Sequence, residues 1–204
     1  MDRNANLKFS ERVILLDVSF LKQTVGMVKE IMSARLNRPL PKLDLVAWLD
    51  CLLLDVGIRD FSSAEVQVLL AHGVGGDNLD VCMPSLLSDL DAKACRTSLA
   101  EYVFSVVPAE NMVAGETLFQ DLLALVLNNA SVRQLLLVPG VMFDEERLNG
   151  LMAEVLRERK GNAGSGDVQT VCFQMEVSAL PSVCQWCPVV PSLAHVLGIG
   201  SEEL

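Results

Sequence analysis

Four consecutive apolar residues, Val13-Ile14-Leu15-Leu16, end on a single carboxylate, Asp17, within the stretch Arg12–Phe20 (RVILLDVSF). A half-exposed strand would alternate apolar with polar residues. An unbroken run instead predicts a strand buried on both faces, as in a parallel sheet with helices on either side. In such sheets the ligand crevice lies outside the carboxyl ends of the strands, which is where Asp17 would sit.

The rest of the chain fits that start. Phe20, Leu21, Val25, Val28, Ile31, Met32 and Leu36 recur at three- and four-residue spacing and predict an amphipathic helix. Leu43–Val56 predicts a second, strongly apolar helix with Gly57 as its C-cap. Glu65–His72 reads as a strand, Gly73–Asn78 as a turn, Leu79–Met83 as a short strand, Pro84–Leu90 as a short helix and Glu101–Val107 as a strand. Gly115–Asn129 predicts a helix, Val132–Val138 a buried strand, and Asp144 the cap of a helix running to about Arg159. Val168–Met175 supplies a further strand, and Ser192–Leu197 a short helix in the Pro-rich tail. Strands alternating with helices predict a three-layer, Rossmann-like α/β fold with a mostly parallel sheet and helices on both faces. The alternation breaks over residues 65–107, where antiparallel edge strands are expected. Residues 1–204 are expected to form one α/β domain, with 176–204 packing onto it.

Hydrophobic residues make up 51% of the chain and the mean hydropathy is +0.38. Yet Asp17, Asp50, Asp55, Asp121 and Arg133 interrupt every apolar stretch, so no transmembrane helix is expected. The excess apolar surface must enter a large core and a subunit interface, which predicts a homodimer. The opening MDRNANLKFSER has no apolar h-region, and several of the six cysteines sit inside apolar runs. Both features predict a cytoplasmic protein with reduced thiols. A net charge of −10 argues against a nucleic-acid partner, because an acidic surface repels phosphate backbones.

Chemistry has one natural location. Asp17 closes the first strand, Glu116 and Asp121 lie in the first turns of the Gly115–Asn129 helix, and Asp144 and Glu145 follow the Val132–Val138 strand. Carboxylates converging at a sheet rim can hold Mg²⁺ or Mn²⁺ for attack on phosphate. The plainer role for Asp17 is a strand-end carboxylate capping the Ser19 or Phe20 N–H. Through VILLDVSFL and ETLFQDLLALVLNNASVRQLLLVPG the order of elements resembles the PIN/NYN class of metal-dependent ribonucleases. That resemblance implies catalytic Asp17 and Asp121, with Glu116, Asp144 and Glu145 as further metal ligands. The chain departs from the class at Val138-Pro139-Gly140-Val141, which stands where the class carries a Ser-Gly-Asp-x-Asp-like turn.

Cys184-x-x-Cys187 lies among prolines, with no second cysteine pair to complete a zinc site, and reads as structural thiols beside Trp186. His72 reads as a turn residue and His195 as a core or interface histidine. The Phe9–Val18 opening, the E-x-Q-V-L-L strand, S-V-x-P-x-E-x-M-V over Ser105–Val113 and the L-G-I-x-x-x-E-L ending also resemble a group of gut Bacteroidales proteins of similar length with no assigned activity. Together these readings predict a non-catalytic binding or interaction domain needing no cofactor. The alternative is a divalent-metal nuclease or phosphohydrolase of PIN/NYN type.

Overall fold

A computed structural model describes residues 8–59, 65–109, 115–140, 145–161, 167–176 and 184–203. In chain order the elements are β1 (Arg12–Asp17), α1 (Val18–Phe20), a π-helical turn (Leu21–Val25), α2 (Gly26–Leu36), β2 (Leu43–Asp44), α3 (Leu45–Asp55), β3 (Glu65–His72) and β4 (Cys82–Met83). A 3₁₀ turn (Leu87–Asp89) leads to β5 (Ala94–Arg96), β6 (Glu101–Pro108), α4 (Gly115–Asn128), β7 (Gln134–Val138), α5 (Glu145–Gly161), β8 (Gln169–Gln174), β9 (Cys184–Pro188) and α6 (Val190–Val196).

Seven strands form one sheet in the order β5-β6-β3-β1-β7-β8-β9, and every pair except β5–β6 is parallel. Counting only the six parallel strands in chain order, the spatial order is 3-2-1-4-5-6, that of a doubly wound sheet whose direction of winding reverses beside its first strand. β1 is therefore central, and Val13, Ile14, Leu15 and Leu16 have no exposed surface. Alternation along the strand divides them between two cores. Val13 and Leu15 join Phe119, Leu123 and Val126 of α4 and Leu148 and Met152 of α5. Ile14 and Leu16 join Phe20, Trp48, Leu52, Leu193 and Leu197 in one cluster under α1, α3 and α6. Helices thus cover both faces, the condition under which a strand tolerates an unbroken apolar sequence.

The mostly parallel sheet with helices on both faces agrees with the sequence, and the details correct it. Glu65–His72 and Glu101–Pro108 are inner parallel strands, so the antiparallel edge is β5 alone. The strand expected over Leu79–Met83 shrinks to Cys82–Met83, which pairs with Leu43–Asp44 in a separate two-stranded sheet. The helix expected from Leu43 consequently starts at Leu45, with the Asp44 carboxylate accepting the Ala47 N–H at 3.0 Å. The helix expected over Pro84–Leu90 is a 3₁₀ turn. The tail contributes a strand, β9, paired in parallel with β8. α6 docks back through the Trp48 indole N–H, which donates to Ser192 Oγ at 3.1 Å. Arg38 reaches the Gly198 carbonyl and the Glu203 carboxylate further along.

Candidate functional site

The reversal of winding lies between β1 and β7, and Asp17 is the last residue of β1. Its backbone is extended, and its side chain caps α1: Oδ1 accepts the Ser19 N–H at 2.8 Å, and the Ser19 hydroxyl adds a second hydrogen bond. Burial pushes the Asp17 carboxyl above the usual carboxylate range, and the two Ser19 hydrogen bonds oppose that shift.

Above this carboxylate the chain leaves β7 through Pro139-Gly140, both buried. A Cβ on Gly140 would lie 2.6 Å from Ser19 Oγ and 2.7 Å from Asp17 Oδ2, closer than any side chain tolerates. Only a residue without a Cβ lets the β7 exit rest on Asp17 in this way. The neighbouring exit from β3 is packed similarly. His72 is 9% exposed, its Nδ1 lies 2.8 Å from the Gly73 carbonyl, and Gly76 N–H closes the turn by donating to Gly73 O at 3.1 Å. Gly115, the first residue of α4, sits against Gly73. At the rim where this architecture ordinarily leaves a crevice, the main chain packs against the one carboxylate that the central strand delivers, which stays partly exposed.

Of the other candidate acidic residues, Glu116 and Asp121 are the ones whose side chains are described. Asp121 is exposed, two positions from Phe119 and Leu123, which face the sheet; it therefore lies on the solvent side of α4, away from Asp17. Glu116 accepts from Gln120 Nε2 at 3.4 Å and lies 3.8 Å from Arg147 Nη1 of α5. Glu145 opens α5, and Asp144 falls outside the described residues. Among the described residues no group of three or more His, Cys, Asp or Glu side chains is placed to hold a metal ion.

The two thiols of the Cys-x-x-Cys stretch face opposite ways, because residues three apart on a strand point to opposite sides. Cys184 packs on the α4/α5 side and Cys187 on the α3/α6 side. Burial pushes the Cys184 thiol up to about 11 and raises Cys187 as well, with Asp55 adding to the latter. Neither has the stabilised thiolate that redox work needs. His195, expected in the core or an interface, is exposed; the buried positions of α6 are Ser192, Leu193 and Ala194.

Gly140 was not legible as a site residue from the sequence, where Pro139-Gly140 marks only the end of a strand. The one signal pointing to it was the pairing of a strand-end carboxylate with a glycine just beyond the neighbouring strand.

The family described as Family of unknown function (DUF6621) matches residues 6–204. No curated protein and no solved structure matches the chain.

Proposed function

We propose, from the premise that the chain belongs to the family of unknown function DUF6621, that it is a non-catalytic binding domain that works in the cytoplasm as a homodimer. The observation that carries this reading is the approach of Gly140 to Asp17 and Ser19. In a PIN/NYN-type sheet a metal and a scissile phosphate would meet the first-strand carboxylate at the rim. Here that carboxylate is engaged in capping α1, and the Gly140 backbone packs against it. Among the described residues no helix is long and apolar enough to cross a membrane, which is consistent with the cytoplasmic part of the reading.

The test is a thermal titration with Mn²⁺ and Mg²⁺. A binding domain keeps its Tm at about 1 mM metal, whereas a site with a dissociation constant a hundredfold lower would add about 2.7 kcal/mol. A rise of several degrees would overturn the non-catalytic reading in favour of a metal-dependent hydrolase. Light scattering tests the dimer. A mass twice 22.2 kDa supports it, and 22.2 kDa itself overturns it.

Asp17→Asn gives an independent prediction. With its pKa raised in the folded state, the carboxyl contributes stability that is present below the ordinary carboxyl pKa and lost as pH rises through the raised value. At neutral pH the charged form is therefore a burden, and asparagine caps a helix about as well as aspartate. The substitution should raise Tm by about 1–3 °C at pH 7 and by nothing at pH 3. A metal ligand would instead show its loss as a vanished metal response.

A further inference from the structure

We draw no further inference here: the strongest candidate, the pocket at the amino-terminal edge of the sheet lined by Lys8, Phe9, Ser10, Glu11, Glu65 and Ser131, carries nothing because the Ser10 hydroxyl already donates to Glu65 and the Ser131 hydroxyl to the Phe9 carbonyl, and nothing in the structure shows what fills it.

Discussion

Trp48→Ala should destabilise the fold by about 3–5 kcal/mol, the range for removing a wholly buried large aromatic side chain. Trp48 has no exposed surface, stacks on Phe20 with ring centroids 6.0 Å apart, and donates its indole N–H to Ser192 Oγ. Ser192 in turn donates to the Val189 carbonyl at 2.9 Å. One side chain thus ties α1, α3 and α6 together over the sheet, and its removal leaves a cavity and a weakened C-terminal docking. Urea unfolding followed by circular dichroism should show the loss as a lower midpoint. Trp48→Phe keeps the stacking and should lose only about 1–2 kcal/mol for the smaller ring and the missing donor. A loss under about 1 kcal/mol for alanine would mean that α6 is held by other contacts.

Arg159→Met should lose about 3–4 kcal/mol, although arginine in a helix is ordinarily a surface residue. Arg159 is 3% exposed. Its Nη1 donates to the carbonyls of Leu127 and Asn129, and its Nη2 donates to Val132 O at 2.7 Å. These carbonyls belong to the last turn of α4 and the connection into β7, so α5 supplies the cap that the C-terminus of α4 lacks. The cation also meets the negative end of the helix dipole. Methionine fills much of the same volume but removes three hydrogen bonds, although the Asn129 carbonyl keeps the Val132 N–H at 3.2 Å. Arg159→Lys should recover about half of the loss, since an ammonium has three donors but not the planar fork that spans separate carbonyls. A thermal melt of the three proteins orders them directly, at about 2–4 °C per kcal/mol for a chain of this size. Equal melting of methionine and lysine variants would show that the carbonyls find water instead.

These two side chains also mark how far the sequence could be read. β1 was legible because an unbroken apolar run of strand length is stable only where both faces of the strand are covered, and the capping role of Asp17 followed from its place at a strand end. β9 was not, because Cys-Gln-Trp-Cys-Pro lacks both alternation and β-branched residues; it is a strand because β8 offers it a partner. β2 and β4 are two residues each and exist only through each other, so no local pattern announces them. In the sequence Arg159 belongs to a charged neighbourhood, yet in the fold it continues the buried stripe of Leu148, Met152 and Val155 at helical spacing. Of the acidic residues, the sequence did not place Asp121 on the solvent side of α4. Sequence spacing does not specify which side of α4 meets the sheet at the level of Asp121, and tertiary packing turned that residue to solvent.

The rim beside β1 is narrowed by contact between Gly140 and the Asp17–Ser19 pair, both of which stay partly exposed. A double-mutant cycle measures that contact directly. Gly140→Ala in the native background should cost about 1–3 kcal/mol, because the new methyl meets Asp17 Oδ2 and Ser19 Oγ. In an Asp17→Ala/Ser19→Ala background both obstructing atoms are gone, and the same substitution should cost almost nothing, a coupling of about 1 kcal/mol or more. Costs that add to within about 0.3 kcal/mol would contradict the account, because they would mean that Gly140 does not press on the Asp17–Ser19 pair.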